Sequence, residues 1–340
     1  MIAIVGGGIA GACALHVLAR AGFEVELYDD GDAVSGGASG VPVALLNPYR
    51  GKRALPSAED LAGHERFLAA LAELGAERAG WHAVGVLRIA DSAERAAAWR
   101  ELPGVRWIAS EELTAVAALE LRAPHGGFLF ERGGFVETRA LREALIAAAR
   151  SRGAALRVGV RVHSLAYEAD GVRLHTTQGE RRARIAVSCT GAVSSPWAPR
   201  DDLRGVAGEV LCYSRAALGP AHVALAREPA LVARCLLIRT PQEIHVGGAH
   251  GGDRAEAQDA AALLHAAGSA LWPALAQLAP ASSFRALRAA TPSNQPRVRR
   301  VAERLWSVEG LAGRGYLRAF DLAEQLASAL RRELGDRGRE

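Results

Sequence analysis

The stretch Met1-Ile2-Ala3-Ile4-Val5-Gly6-Gly7-Gly8-Ile9-Ala10-Gly11 decides the fold of this chain. Ile2 to Val5 is an apolar run typical of a short buried strand, and a helical pattern from Ala12 to Ala21 follows the glycines. A Gly-x-Gly-x-x-Gly motif between a strand and a helix indicates dinucleotide binding. Gly6 permits the tight turn, Gly8 lets a pyrophosphate approach the backbone, and Gly11 lets helix and strand pack closely. The N–H groups at the helix start, with Ile9 and Ala10, would face the phosphates.

A second strand is predicted from Glu24 to Tyr28, where polar and apolar residues alternate, and Asp29 ends it. An acidic side chain at this point accepts hydrogen bonds from a ribose hydroxyl of a dinucleotide. Strand, turn, helix, second strand and acid follow one another within a unit of ~30 residues, which favours a dinucleotide site over an ordinary glycine turn. The motif by itself leaves NAD and FAD open.

Size and composition narrow the class of protein. The 340 residues are enough for two domains, and 50% of them are apolar. No apolar run reaches the ~18–20 residues of a membrane span, and a strand that begins at Ile2 leaves no room for a cleavable signal peptide. The four cysteines form no Cys-x-x-Cys pair, so we expect buried thiols in a reducing cytoplasm and no metal site. The net charge of +4 permits nucleic-acid contact without arguing for it.

The rest of the pattern predicts an α/β chain. Helices are expected over Ser57–Leu74, Ser92–Glu101, Thr138–Arg152, Asp253–Gly268 and Leu317–Leu334. Strands are expected over Gly85–Ile89, Gly127–Phe130, Ala155–Val158, Val160–Val162, Val172–Thr176, Arg184–Cys189, Glu209–Ser214, Cys235–Arg239 and Glu243–Gly248, while Gly134-Phe135-Val136 leads into the helix Thr138–Arg152.

Two later glycine loops favour FAD over NAD. A core strand ends in Thr190-Gly191, a small turn that lets backbone come close to a cofactor, although such strand ends are common. Gly310 to Gly315 precedes the last helix and can present N–H groups to an anion or to a flavin carbonyl.

Read in order, these segments resemble the D-amino-acid-oxidase family of flavoproteins over nearly the whole chain. The resemblance rests on the fingerprint, Gly37-Ala38-Ser39-Gly40, Gly134-Phe135-Val136-Glu137-Thr138, Cys189-Thr190-Gly191-Ala192, Val246-Gly247-Gly248, Leu287-Arg288-Ala289-Ala290-Thr291-Pro292 and Gly310–Gly315. Within the family, the motifs are similar to the flavin half of the bifunctional enzyme that makes 5-methylaminomethyl-2-thiouridine in tRNA, and to glycine oxidase. The methyltransferase half of the bifunctional enzyme has no counterpart here.

The resemblance implies an α/β fold with two interleaved domains. A Rossmann-like FAD-binding domain of the glutathione-reductase type would span residues 1–55, 136–205 and 286–340. An antiparallel-sheet α+β substrate domain would span residues 56–135 and 206–285.

The resemblance also assigns cofactor contacts. The ADP half of FAD would lie on Gly6, Gly8, Gly11 and Asp29, with Ala38 and Ser39 along the pyrophosphate and ribityl chain. The adenine region would meet the backbone of Val162, Thr190 and Gly191 would pack on the cofactor, and the flavin ring would face Gly313, Arg314 and Gly315. Flavin-linking cysteines of the family lie near the C-terminal segment, and no cysteine follows Cys235, so non-covalent FAD is expected.

Arg288 matches the arginine that binds the substrate carboxylate in several members of the family. A guanidinium suits this role because its planar fork binds both carboxylate oxygens. A structural salt bridge is the competing interpretation. Two departures from the family pattern, Ser293 for an Asp and Arg299 for a Gly, leave the substrate open.

Three functions follow as hypotheses. The first is oxidation of the C–N bond of an amino acid or N-substituted glycine by hydride transfer to flavin N5, with imine hydrolysis. Arg288 and Arg314 would be its catalytic residues, while His245 and His250 fit a structural role better. The second is removal of a carboxymethyl group from a tRNA wobble uridine, with Arg50-Gly51-Lys52-Arg53 as a tRNA-facing loop. The third is a non-catalytic FAD-binding protein. The electron acceptor and the oligomeric state stay open.

Overall fold

The computed structural model describes residues 1–33, 36–193, 195–199, 202–218, 228–249 and 259–336. Within them the chain forms seven α-helices and 20 strands. The helices are α1 (Ile9–Arg20), α2 (Ala58–Leu74), α3 (Ala93–Trp99), α4 (Leu113–Ala117), α5 (Thr138–Arg150), α6 (Ala260–Leu271) and α7 (Gly315–Asp336). The strands are β1 (Ile2–Val5), β2 (Val25–Tyr28), β3 (Val43–Leu46), β4 (Trp81–His82), β5 (Val86–Ile89), β6 (Arg106–Ile108), β7 (Gly127–Phe130), β8 (Gly134–Glu137), β9 (Ala155–Arg157), β10 (Val162–Glu168), β11 (Gly171–Thr176), β12 (Gly179–Ala183), β13 (Ile185–Ser188), β14 (Arg204–Ser214), β15 (Ala230–Val232), β16 (Leu236–Arg239), β17 (Glu243–Ala249), β18 (Ser282–Ala290), β19 (Arg297–Ala302) and β20 (Leu305–Glu309).

A six-stranded sheet carries the N-terminal motif, in the order β19-β20-β13-β1-β2-β9. Strand β1 lies in the middle and runs parallel to both neighbours, with Ile4 opposite Val187 and Leu27. Helix α1 packs between the sheet, α5 and α7. Central parallel strands covered on both faces read as apolar runs, and β1 is buried at all four positions.

The second strand, β2, is buried throughout, although polar and apolar residues alternate along it. Glu26 lies inside because its carboxylate meets Arg157 Nε at 2.5 Å and accepts the Tyr28 hydroxyl at 2.6 Å. A charge can be buried when it is paired in this way.

A second, larger sheet has the order β18-β14-β17-β16-β15-β5-β7-β6 and is antiparallel except where β15 meets β5. Strands β10, β11 and β12 form a three-stranded meander, and β3, β8 and β4 form a small antiparallel sheet. The predicted fold class, a Rossmann-like parallel sheet with an interleaved antiparallel sheet, is confirmed. The domain limits stay a proposal: β14 and β18 cross the limits set at 206 and 286.

Most predicted elements are present with shifted ends. Helix α1 begins at Ile9, three residues earlier than predicted, because the third fingerprint glycine lies inside the helix. Val160 to Val162 is not a separate strand; Val162 opens β10. Helix α2 begins after Ser57, whose hydroxyl accepts the Asp60 N–H at 3.1 Å as the predicted cap.

Three further expectations concern the predicted helix from Asp253, the cysteines and membrane spans. Helix α6 starts at Ala260, and residues 253–258 lie outside the described part of the chain. All four cysteines are buried, as expected. Among the helices that the structure describes, none is long and apolar enough to cross a membrane.

Candidate functional site

The glycine turn after β1 has room for backbone only. An ideal Cβ on Gly6, where φ is 104°, would lie 2.6 Å from the Cys189 carbonyl oxygen. A Cβ on Gly11 would lie 1.8 Å from the Gly6 carbonyl oxygen. These contacts join the ends of β1 and β13 to the start of α1, so the close packing predicted for the fingerprint is confirmed. A Cβ on Gly8 would lie 3.1 Å from Ser39 Oγ, in the space between the glycine turn after β1 and the segment Ala38–Gly40.

The start of α1 suits a diphosphate. Its N-cap, Gly8, offers no side chain, and its first turn has no acidic residue. Ile9 N donates to Ser39 Oγ at 2.9 Å, whereas the N–H groups of Ala10 and Gly11 have no carbonyl one turn earlier within the helix. The positive end of the helix dipole is therefore open to an anion.

Asp29 lies at the end of β2, beside this turn. Its Oδ2 accepts the Gly7 N–H at 2.5 Å and its Oδ1 accepts the Gly31 N–H at 2.9 Å. The Asp29 carbonyl accepts the Val160 N–H at 2.9 Å, which brings the start of β10 and Val162 alongside. The carboxylate keeps lone pairs for a ribose hydroxyl, since each oxygen can accept more than one bond.

The glycine loop before α7, Gly310 to Gly315, also reaches the start of α1. Gly313 and Arg314 belong to a short 3-10 helix, Ala312–Arg314, that runs directly into α7. An ideal Cβ on Gly315 would lie 3.3 Å from Ile9 Cγ2, and the Tyr316 hydroxyl donates to the Ser39 carbonyl at 2.6 Å. Ser39 and its neighbour Ala38, in the 3-10 helix Ala38–Gly40, thus connect the two loops.

Thr190 and Gly191 follow β13 on the other side of the fingerprint. The Thr190 hydroxyl donates to the Val193 carbonyl at 3.0 Å, and Gly191 has a φ of 61°. A Cβ on Gly191 would meet no described atom within 4 Å, so there is room on that side of the residue. The predicted cofactor residues from Asp29 to Gly315 therefore lie next to one another around the glycine turn and the start of α1, and this row of residues is called the track below.

Arg288 lies on β18, opposite Val206, and is half-buried. Its Nη2 donates to the Ala207 carbonyl at 3.2 Å, and its buried Nε has no hydrogen-bond partner. Among the described residues, no carboxylate lies within 4.0 Å of it. Burial lowers the pKa of this guanidinium. The salt bridge that competed with carboxylate binding is thus not found in the described part of the chain.

Arg314 has a different environment, because its charge is paired. Its Nε lies 3.3 Å from Oδ2 of the buried Asp60, and its Nη1 donates to the Asn294 carbonyl at 2.6 Å. Arg318 Nη1 lies 3.6 Å from the other oxygen of Asp60. Asp60 stands in the first turn of α2, where the Ser57 cap fixes it.

Arg50 is a site residue that the sequence did not reveal. It follows β3 and is half-buried, with its guanidinium turned towards Arg288 and Arg314 rather than out with the tRNA-facing loop predicted for it. An ideal Cβ on Gly313 would lie 3.0 Å from Arg50 Nη2 and 3.5 Å from Arg288 Nη1. Burial, then Arg314, then Arg288 lower the pKa of Arg50 to about 10, although Asp60 opposes them. No pattern along the chain indicated this inward direction.

The two departures from the family pattern differ in position. Ser293 lies in the turn after β18, where its Oγ is 3.3 Å from Thr291 Oγ1. The next residue, Asn294, holds Arg314. Arg299 pairs with the buried Glu309 at 2.9 Å and so acts as an ion-pair partner within the six-stranded sheet.

The histidines add little to the site. His245 is buried on β17, where its Nδ1 lies 3.4 Å from Cys212 Sγ and burial lowers its pKa. His250 lies outside the described residues.

Comparisons with known proteins agree with this geometry. The model of the DAO family, FAD dependent oxidoreductase, matches residues 1–329. The tRNA 5-methylaminomethyl-2-thiouridine biosynthesis bifunctional protein of Maricaulis maris is 31% identical over 333 residues, which are 97% of this chain and 52% of that protein. The chain thus spans about half the length of this curated relative.

Solved structures show the same fold. Glycine oxidase from Geobacillus kaustophilus has a TM-score of 0.80 at 22% identity, over 97% of this chain and 94% of that one. Iminodiacetate oxidase from Chelativorans sp. BNC1 has a TM-score of 0.79 at 20% identity, over 97% of this chain and 95% of that one.

Proposed function

The chain belongs to the DAO family of FAD-dependent oxidoreductases, and from this premise we propose that it oxidises the C–N bond of an amino acid or N-substituted glycine. One observation carries the proposal. Arg288 presents a half-buried guanidinium, without a carboxylate partner among the described residues, next to Gly313 at the end of the track of predicted cofactor residues. A buried charge without a partner is costly, so a site that keeps one needs an anion in its working state.

The residues present fit FAD. The glycine turn leaves backbone-only space, the start of α1 is open to a diphosphate, and the Asp29 carboxylate beside them would accept a ribose hydroxyl. Bound FAD would supply the acceptor for a hydride from the substrate α-carbon. We infer that the cofactor is held without a covalent bond, since no cysteine follows Cys235.

The protein's own task is then mostly positioning. Arg288 binds the substrate carboxylate with its planar fork and so fixes the α-carbon relative to the Gly313-Arg314-Gly315 loop. Arg314 is locked by Asp60 and Asn294, which gives this loop a fixed backbone. An amine that binds in the neutral form needs no strong side-chain base, and water hydrolyses the imine to a carbonyl compound and an amine.

The experiment compares substrates in pairs. The purified protein is assayed with N-methylglycine and with N-methylethylamine, which lacks the carboxylate, and with a panel of free amino acids. We expect turnover of carboxylated amines, with the carbonyl product detected as its hydrazone, and little turnover of N-methylethylamine. Equal turnover of both members of the pair would contradict the role of Arg288.

A second candidate is oxidation of a carboxymethylaminomethyl group on tRNA, which the name of the Maricaulis maris relative supports. Lys52 and Arg53 are exposed, as a tRNA-facing loop requires, but Arg50 is turned inward. Binding of tRNA should weaken steeply as salt rises. A protein with no tRNA affinity at low salt would exclude this candidate.

A further inference from the structure

We propose that Arg50 is a second anion-binding residue, so that the substrate is an amine with two acidic groups, one held by Arg288 and the other by Arg50. The inference rests on the proposed function, because it takes Arg288 as the site of the first carboxylate. It narrows the substrate class from amino acids in general to dianionic amines.

The first support is the geometry. Two guanidinium groups from distant parts of the chain approach one point above Gly313, at 3.0 Å for Arg50 and 3.5 Å for Arg288. Gly313 itself is exposed, so this point opens to solvent. Any side chain at residue 313 would fill the space between the two arginines. The glycine therefore keeps both guanidinium groups accessible to one ligand.

The second support is the balance of charge. Four arginines gather here: Arg50, Arg88, Arg288 and Arg314. Among the described residues, only Asp60 has a carboxylate within 4.0 Å of any of them. Asp60 is already shared by Arg314, at 3.3 Å, and Arg318, at 3.6 Å. Arg50, Arg88 and Arg288 thus have no carboxylate partner among the described residues, and Arg88 is held by backbone carbonyls instead. Like charges in a partly buried site repel one another, and the single negative charge of one carboxylate cannot balance the two positive charges of Arg50 and Arg288.

The third support is that hydrogen bonds hold the backbone on both sides of Arg50 in place. Arg88 donates to the carbonyls of the residues before and after it, Tyr49 at 2.8 Å and Gly51 at 3.0 Å. The Asn47 side chain bonds the backbone of Tyr49 twice, at 2.9 and 3.1 Å. Arg88 is itself fixed over the Trp99 ring, 4.9 Å from its centroid. A free surface arginine needs none of these contacts, whereas a preorganised anion site does.

The test uses two probes that differ in one carboxylate, iminodiacetate and N-methylglycine. We expect Arg50→Gln to lower kcat/KM for iminodiacetate by about 10- to 100-fold, the loss of a charge-assisted hydrogen bond. N-methylglycine should change less than about 3-fold. Arg139→Gln removes an exposed arginine on α5, which pairs with Glu143 and has no role in the site, and should leave kcat/KM for both probes unchanged. Equal losses for both probes with Arg50→Gln, or no loss, would overturn the proposal.

A binding measurement separates this proposal from the proposed function. Malonate and acetate are titrated into the holoenzyme, and the shift of the flavin absorbance gives each dissociation constant. Malonate should bind more tightly than acetate, and Arg50→Gln should remove that difference while the melting temperature is kept. If no amine is oxidised but this difference is found, the proposed function fails and the second anion position stands. If malonate binds no better than acetate, or Arg50→Gln weakens only tRNA binding, the proposal is wrong.

Discussion

Replacing Arg288 with glutamine removes one guanidinium group and should leave the fold intact. The side chain makes one described hydrogen bond, 3.2 Å long, to the Ala207 carbonyl, and its Nε is buried without a partner. Its loss should therefore change the free energy of unfolding by less than about 1 kcal/mol, or raise it. Binding should respond very differently, because a substrate carboxylate would lose its only charged partner.

The magnitude follows from the cost of leaving a buried charge unpaired. Truncating one partner of a hydrogen-bonded charge pair costs about 2–5 kcal/mol. At 1.36 kcal/mol per tenfold, kcat/KM for a carboxylated amine should fall by roughly 30- to 5,000-fold. FAD content should not change, since Arg288 is assigned to the substrate and not to the cofactor.

The assay is steady-state kinetics on the holoenzyme, with thermal melting in parallel. Arg285→Gln is the matched control, because Arg285 lies on the same strand and pairs with the buried Glu209 at 2.6 Å. Arg285→Gln should lower the free energy of unfolding by about 1–3 kcal/mol, because the buried Glu209 carboxylate loses its partner, and should leave kcat/KM unchanged. An Arg288→Gln variant that melts at a much lower temperature and keeps its kcat/KM would show that Arg288 has a structural role and does not bind the substrate.

Further predictions concern the cofactor and pH. Asp29→Asn should weaken FAD binding about 10- to 100-fold by flavin fluorescence titration, whereas Asp30→Asn, next to it and exposed, should not. Gly11→Ala places a Cβ 1.8 Å from a carbonyl oxygen of the fingerprint turn; it should destabilise the protein by about 1–3 kcal/mol in denaturant melts and release FAD. Burial lowers the pKa of His16 from 6.5 in the unfolded chain to about 4 in the folded protein. Because only the unfolded chain binds a proton between these two values, the free energy of unfolding should fall as pH drops from about 6.5 to 4. This loss, about 3 kcal/mol, should be absent from urea melts of His16→Leu, and an unchanged pH profile would contradict it.

Local rules were enough to predict the glycine turn after β1 and the cap of α2. The fingerprint glycines are fixed by contacts within a few residues and by one strand partner, so spacing and residue type reveal them. The cap at Ser57 is local in the same way, with its bond to Asp60 three residues on. Local spacing is enough to recognise both features, although Gly6 also packs against Cys189 at the end of the distant strand β13.

The substrate end depends on long-range contacts and could not be predicted in this way. The backbone on both sides of Arg50 is held by Arg88, 39 residues from Tyr49 in sequence, which donates to the carbonyls of Tyr49 and Gly51. The burial of Glu26 depends on Arg157, 131 residues away. Whether Arg288 lacks a salt bridge is likewise a property of the folded surroundings, which spacing does not encode.

Reduction of the flavin by a carboxylated amine is measured by mixing the holoenzyme anaerobically with N-methylglycine and with iminodiacetate and following the visible flavin absorbance. We predict that these carboxylated amines bleach the flavin, and that N-methylethylamine at the same concentration does not. A protein that binds no FAD after reconstitution, or a flavin that no amine reduces, would contradict the account.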